Sequence, residues 1–135
     1  MSRSPQEIFQ RYVHAGAFSQ DAAAVAEMFT EDGVLEAPLV PAGSVFPKRM
    51  RGRDEIREGL AAYYARQVPD TRKPDVEKSR YALHTTGDPD VFIAEIDTVL
   101  LSDGVEETVS LVQIFRIRDG RIALLRDYFT PGLVG

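Results

Sequence analysis

The sequence predicts an α+β domain in which helices come first and a mainly antiparallel sheet follows. Apolar residues recur at helical spacing in the first part of the chain, whereas the second part carries runs of β-branched and aromatic residues. The dipeptides Asp103-Gly104 and Asp119-Gly120 separate the later runs, and two-residue turns of this composition join antiparallel neighbours. This order of elements is typical of helices that cover one face of a sheet.

Length and composition narrow the possibilities. The chain has 135 residues, so we expect one domain over residues 1–135. It has no cysteine, which excludes disulfides, thiol nucleophiles and cysteine-ligated zinc. Its two histidines, His14 and His84, are far apart in the sequence, and we expect neither a metal site nor a cofactor.

Charge and hydropathy bear on partners and location. The formal net charge is −5, whereas domains that bind phosphates are usually basic, so we expect no nucleic-acid partner. No apolar stretch approaches the ~20 residues that span a bilayer, and the N-terminal segment lacks the apolar run of a signal peptide. We therefore expect a cytoplasmic protein with no membrane contact.

Capping residues and spacing predict the individual elements. Ser4, Pro5 and Glu7 form a helix start, with an N-cap, a proline at the first helical position and a capping box. Gly16 is expected to end this first helix, which covers residues 5–15. The other predicted elements are a second helix from Ser19 or Asp21 to Asp32-Gly33, a third helix from Asp54, and strands over residues 34–39, 81–86, 91–101, 108–118 and 121–129.

Both faces of the predicted sheet are rich in apolar residues. In the strand over residues 91–101, Ile93 and Val99 lie on one face, and Phe92 and Ile96 lie on the other. A sheet with one face in water normally alternates apolar and polar residues. We therefore expect a second subunit to cover the second face, giving a homodimer through the sheet.

Four polar side chains occupy strand positions whose neighbours on the same face are apolar: Glu95, Asp97, Gln113 and Asp127. If these positions face the helices, the protein encloses a pocket with carboxylates in its wall. Burial and like charges would then raise the pKa of a carboxyl group toward the range that suits a general acid or base. In the alternative interpretation the acids face solvent or pair with Arg116, Arg121 or Arg126.

Motifs along almost the whole chain resemble the SnoaL-like family of the nuclear transport factor 2-like superfamily. The matching segments are Q-R-Y-V, F-T-E-D-G-V-L-E-A-P, R-G-R-D-E-I and F-R-I-R-D-G-R-I-x-x-x-R-D-Y-F-T-P. The resemblance implies a cone-shaped barrel in which three N-terminal helices pack on a strongly curved, mainly antiparallel sheet around a pocket. The family includes ketosteroid isomerase, polyketide cyclases, limonene epoxide hydrolase and non-catalytic proteins, and sheet-mediated dimers are common in it.

Ketosteroid isomerase and limonene epoxide hydrolase each match part of this sequence. Tyr12 and Gln113 match the positions of the two oxyanion donors of the isomerase, whereas Ala37 stands at the position of its general base. Asp97 and Asp127 match the two aspartates of the epoxide hydrolase. Its arginine is replaced by Glu95, and its water-holding pair falls at Leu35 and Ala37.

The resemblance implies a pocket that acts on a hydrophobic small molecule without a cofactor. We expect Asp97 and Asp127 to be an acid/base pair that Glu95 tunes, and Tyr12 and Gln113 to bind a substrate oxygen. Leu35, Ala37 and Phe115 are expected to line the substrate site. The leading function is enolisation of a polyketide-like or steroid-like carbonyl compound by a cyclase or isomerase, and the alternatives are an epoxide hydrolase and a non-catalytic ligand-binding dimeric module.

Two further features have open roles. We expect His84 to be a buried or pocket-rim residue rather than a catalytic base. The basic residues of the segment Lys48 to Arg53 are expected to lie on a solvated loop, with contact to an anionic group at the pocket mouth as the alternative.

Overall fold

Helices occupy the first part of the chain and strands the second in the computed structural model, which describes residues 4–66 and 73–130. The helices are α1 (Pro5–Val13), α2 (Ala22–Glu27) and α3 (Gly52–Arg66), with a π-helical turn at His14–Phe18. The strands are β1 (Phe29–Glu36), β2 (Arg49–Arg51), β3 (Lys73–Pro74), β4 (Arg80–Thr85), β5 (Val91–Ser102), β6 (Val105–Arg118) and β7 (Arg121–Tyr128). The expected α+β class is confirmed.

The start of α1 follows the prediction and its end does not. The Ser4 hydroxyl accepts a hydrogen bond from the backbone N–H of Glu7 at 3.2 Å, as an N-cap does. The helical path continues past Gly16 through the π-helical turn, in which the N–H of Ser19 donates to the carbonyl of His14 at 3.0 Å. Gly16 is buried against Val25 and Tyr64, so this glycine permits close helix packing rather than ending the helix.

Strand β1 begins five residues earlier than expected. Gly33 does not end the second helix but lies within β1, at an irregularity in the pairing with β7. A Cβ atom at this position would come within 2.9 Å of the carbonyl oxygen of Ile122. A close approach of two backbones therefore requires glycine here.

The seven strands form one sheet in the order β2-β1-β7-β6-β5-β3, with β4 also paired to β5. β1 and β7 run parallel, and the other pairs are antiparallel. Asp103-Gly104 and Asp119-Gly120 have positive φ angles, as the tight turns of hairpins β5–β6 and β6–β7 require. Within the described residues the sheet curls without closing, and the expected mainly antiparallel architecture is confirmed.

The two faces of the sheet differ in burial. The inner face packs with residues of all three helices in the hydrophobic core, whereas side chains of the outer face are partly or largely exposed. Inner-face side chains include those of Leu35, Met50, Phe92, Ala94, Gln113, Phe115, Leu125 and Asp127. Outer-face side chains include those of Glu36, Arg49, His84, Ile93, Glu95, Asp97, Val112, Ile114, Leu124, Arg126 and Tyr128.

None of the helices in the described ranges is long and apolar enough to cross a membrane.

Candidate active site

Asp127 is a carboxylic acid on the inner face of the sheet, where 91% of its surface is removed from solvent. The side-chain amide nitrogen of Gln113 donates a hydrogen bond to Oδ2 of Asp127 at 3.2 Å. The second carboxyl oxygen, Oδ1, and the amide oxygen Oε1 of Gln113 are buried and have no hydrogen-bond partner. A proton on Oδ1 of Asp127 would turn this unpartnered acceptor into a hydrogen-bond donor.

A β-bulge places Asp127 beside Gln113. Next to the hairpin turn, Arg118 pairs with Arg121 and Ile117 pairs with Ile122. The register then shifts by one residue at Ala123 of β7, and beyond it Gln113 stands opposite Asp127. If the register set at the turn continued without this bulge, Gln113 would stand opposite Arg126, and Asp127 would point to the outer face, because a one-residue slip moves every side chain of a strand to the other face.

The pKa of Asp127 is raised from its ordinary value of 3.8 to about 7. Burial is the main cause, because an apolar environment disfavours the carboxylate, and the hydrogen bond from Gln113 lowers the pKa by less. Leu35 and Leu125 pair across β1 and β7 in the adjacent part of the inner face, and both are fully buried. Asp127 is therefore poised to give up or accept a proton near neutral pH.

Tyr12 brings a hydroxyl group to the same region from α1. Its ring contacts the ring of Phe115 edge-on, with centroids 5.7 Å apart. Burial raises the pKa of Tyr12 well above its ordinary value, and the nearby charges of Asp127 and Tyr64 raise it further. The phenol therefore stays protonated and available as a hydrogen-bond donor at physiological pH.

Apolar side chains surround these three polar groups. Leu35, Ala37 and Phe115, which were expected to line the substrate site, are all buried in the core. Phe115 stacks on Phe92 with ring centroids 4.7 Å apart. Ala37 follows β1 directly and is held by a 2.8 Å backbone hydrogen bond to Lys48. Low polarity around Asp127 is what raises its pKa.

The expected cluster of three acids is wrong, because Glu95 and Asp97 lie on the outer face. Residues directly opposite in an antiparallel pair point to the same side. Ala94 stands opposite Gln113, so its neighbour Glu95 points to the other side, opposite Val112. The acids on the outer face therefore do not meet Asp127.

Each acid on the outer face has a partner there. Oε1 of Glu95 lies 2.5 Å from Nε2 of His84, and Asp97 accepts a hydrogen bond from the Ser110 hydroxyl at 2.6 Å. His84 is consequently an exposed outer-face residue, and the expectation of a buried or pocket-rim histidine is wrong.

The basic segment from Lys48 to Arg53 is more ordered than a solvated loop. Arg49 and Arg51 belong to β2 and point to the outer face, where Nε of Arg49 lies 3.5 Å from Glu36. Arg53 is in α3, and its side chain donates a 2.9 Å hydrogen bond to the carbonyl of Phe29. These arginines hold β1, β2 and α3 together.

Tyr64 of α3, an apolar position of the predicted third helix, also belongs to this region, because it is close enough to Tyr12 to raise the pKa of Tyr12. Burial raises the pKa of Tyr64 itself to about 12. Tyr64 follows Leu60 by four residues, and this spacing puts it on the same face of α3 as that buried leucine. In the part of the chain that is described, no group of three His, Asp or Glu side chains is arranged to hold a metal ion.

The fold agrees with the comparisons with known proteins. The family model of the SnoaL-like domain matches residues 9–125, and the chain belongs to this family. A curated relative, an uncharacterised PhzA/B-like protein of Pseudomonas aeruginosa, is 31% identical over 113 residues, which are 82% of this chain and 74% of the relative.

Solved structures show the same architecture. A proposed isomerase from Bacillus subtilis is 26% identical, with a TM-score of 0.70 over 96% of this chain and 87% of that one. A Catenulispora acidiphila protein with a ketosteroid isomerase-like fold, solved in complex with trimethylamine, has 19% identity and a TM-score of 0.62 over 95% of this chain and 88% of that one. The chain therefore has the nuclear transport factor 2-like fold, as the sequence motifs indicated.

Proposed function

We propose that this protein catalyses proton transfer on a hydrophobic carbonyl compound, as a cyclase or isomerase does, with Asp127 as the single acid/base. The observation that carries the proposal is a carboxyl group buried on an apolar face with one unpartnered oxygen and a pKa of about 7. Strongly perturbed acids of this kind are characteristic of active sites.

The reaction begins with the carboxylate form of Asp127. It accepts a proton from the carbon next to the carbonyl group, and the C–H electron pair becomes a carbon–carbon double bond. The carbonyl oxygen takes up the negative charge as an enolate. Return of the proton from Asp127 to the same carbon, or to a conjugated one, regenerates the carboxylate and completes an exchange or an isomerisation.

Tyr12 and Gln113 are suited to bind the enolate oxygen. Tyr12 has a neutral hydroxyl, and the Gln113 amide retains a second N–H besides the one that it donates to Asp127. Donors fixed in a site of low polarity stabilise a developing charge strongly, by about 3 to 4 kcal/mol each in measured cases. Side chains alone supply the acid, the base and the oxyanion donors in this proposal.

The surrounding side chains favour an apolar substrate. The fully buried Leu35 and Phe115 and the nearly buried Phe129 offer no hydrogen bonds, so a ligand with few polar groups fits best. The similarity to a proposed Bacillus subtilis isomerase supports the reaction class.

A test uses 2-tetralone, an apolar ketone, in D2O, with deuterium uptake next to the carbonyl followed by NMR. We expect the wild-type protein to accelerate the exchange and Asp127→Asn to lower the rate by about 100-fold or more. Asp97→Asn is the matched control and should stay within about twofold, because Asp97 lies on the outer face. An equal rate in Asp127→Asn and wild type would contradict the proposal.

The two alternative functions make different demands. An epoxide hydrolase of the limonene type would need Asp97 beside Asp127, and the register of β5 and β6 puts these residues on opposite faces. A binding module would bind 2-naphthol, which mimics the enol of 2-tetralone, without accelerating the exchange. That result would favour the binding module over the enzyme.

A further inference from the structure

A groove opens between α1 and the strands β3, β4 and β5. Its volume is about 390 Å³, which lies in the range of small-molecule sites. Apolar side chains form both of its walls: Phe9, Val13 and Ala17 on the helical side, and Pro74, Tyr81 and Ile96 on the side of the strands. This groove is therefore shaped for a small molecule rather than for a macromolecular partner.

Tyr81 is the most conspicuous apolar side chain of the groove, because it exposes 44% of its surface. Its ring packs on Phe9 with centroids 4.7 Å apart, and its hydroxyl accepts a 2.5 Å hydrogen bond from the side-chain amide of Gln6. Val76, beside it, exposes 69% of its surface. Large apolar side chains that are held in place and open to solvent in a concavity are typical of a binding site.

The groove borders the candidate active site. The buried ring of Phe9 contacts Tyr81 on the groove side and Phe115 on the side of the site, where the ring centroids are 6.3 Å apart. On β5, Ile96 follows Ala94 by two residues, and Ala94 stands opposite Gln113. Ile96 therefore lies on the same face of the sheet, about 7 Å further along the strand. One elongated molecule has the length to reach both regions.

The chemistry of the groove favours a neutral occupant. Among the described residues that line it, none carries a carboxylate, and only Arg80 has a permanent charge. Arg80 stands opposite Asp97, so its side chain leaves β4 toward the outer face. The Ser79 hydroxyl already donates to the carbonyl of Asp75 and accepts from the N–H of Val99. A charged group in the groove would lose its water without gaining a partner.

We propose that the groove binds a neutral apolar arm of the substrate whose carbonyl group lies at Asp127. This inference rests on the proposed function and narrows the substrate class to elongated ketones, with the carbonyl at one end and an aromatic or hydrocarbon group at the other. The arm runs along Phe9 and packs between Val13 and Ile96. It covers the exposed ring of Tyr81, and the removal of apolar surface from water favours its binding.

Binding of N-phenyl-1-naphthylamine, a neutral apolar fluorophore, tests the groove without catalysis. The wild-type protein should bind it with a rise in fluorescence. Ala17→Glu places a carboxylate on the groove wall and should weaken binding by at least about tenfold. Ala23→Glu changes an exposed residue of α2 outside the groove and should stay within about twofold. No binding by the wild type, or equal affinity of Ala17→Glu and wild type, would overturn the proposal.

The length of the ketone tests the link to the active site. The probes are 2-tetralone and 6-phenyl-2-tetralone, whose phenyl group extends away from the carbonyl, and the readout is kcat/KM for deuterium exchange. The wild type should prefer the longer ketone by at least about tenfold. Thr98→Trp fills the groove and should reduce this preference to about twofold or less. Circular dichroism checks that the variant keeps the fold.

The outcomes separate this inference from the proposed function. Exchange of both ketones without a preference in the wild type, or a preference that survives in Thr98→Trp, would overturn the groove as the site of the arm. Absence of exchange with both ketones would instead contradict the proposed function and, with it, the substrate as the occupant. The fluorophore titration would still decide whether the groove binds apolar molecules.

Discussion

The amide of Gln113 on β6 donates a 3.2 Å hydrogen bond to Asp127 on β7, and both side chains lie buried on the inner face of the sheet. The bond satisfies Oδ2 of Asp127 and leaves Oδ1 of Asp127 and Oε1 of Gln113 buried without a partner. A proton on Oδ1 would turn one of these two acceptors into a donor. This property, together with burial, makes Asp127 the candidate acid/base of the site.

The stability of the protein should depend on pH through Asp127. Its pKa is about 7 in the folded protein and 3.8 when exposed, so the folded state holds the proton more tightly. The free energy of unfolding therefore falls as pH rises from about 4 to about 7, and the loss is complete above pH 7. The full effect corresponds to about 4 kcal/mol.

The variant Asp127→Asn removes this dependence while keeping the shape of the side chain. Urea unfolding should show little difference between variant and wild type near pH 4, and a growing advantage of the variant toward about pH 8. A difference that stays constant with pH would show that Asp127 titrates normally. Asp97→Asn, on the outer face, is the control and should show no such trend.

Replacing Gln113 should move the titration of Asp127. The hydrogen bond from Gln113 lowers the pKa of Asp127, so Gln113→Leu should raise that pKa further. The pH midpoint of ketone exchange should shift upward with it. A midpoint that is unchanged in Gln113→Leu, with the rate still dependent on Asp127, would contradict the assigned hydrogen bond.

A methyl group at Gly33 should destabilise the fold. It would come within 3.0 Å of backbone and side-chain atoms of Ile122, Thr30 and Phe29, and backbone has little room to yield. Gly33→Ala should lower the free energy of unfolding by about 1 to 3 kcal/mol. Gly87 has no atom within 4 Å of the equivalent position, so Gly87→Ala should change stability by less than about 0.5 kcal/mol. Equal effects of the two changes would contradict the close approach of β1 and β7.

Much of the fold follows from local sequence signals. Ser4 and Asp21 cap helices as their residue types predict, and the turns at Asp103-Gly104 and Asp119-Gly120 join the expected hairpins. Each of these features depends on a few neighbouring residues. Gly16 and Gly33 were wrongly predicted to end helices. Glycine can either end a helix or permit close packing, and only the tertiary structure shows that these two permit close packing.

The site was predicted only in part, because strand faces depend on register. Gln113 and Asp127 do lie together on the inner face, and Tyr12 of α1 is near enough to feel the charge of Asp127. The face on which Glu95 lies was predictable from the turn. Ser102 pairs with Val105 across the Asp103-Gly104 turn, and counting back from this pair puts Ala94, not Glu95, opposite Gln113. The bulge at Ala123 has no comparable signal, since its effect depends on how β6, β7 and β1 pack together.

The central claim is that the buried carboxyl group of Asp127 ionises near neutral pH. Carbon-13 NMR of the intact protein, with aspartate carboxyl groups labelled and the signal assigned by comparison with Asp127→Asn, measures this pKa directly. The structure predicts a titration with a midpoint of about 7. A midpoint near the ordinary value of 3.8 would contradict the account and would remove Asp127 as the acid/base of this site.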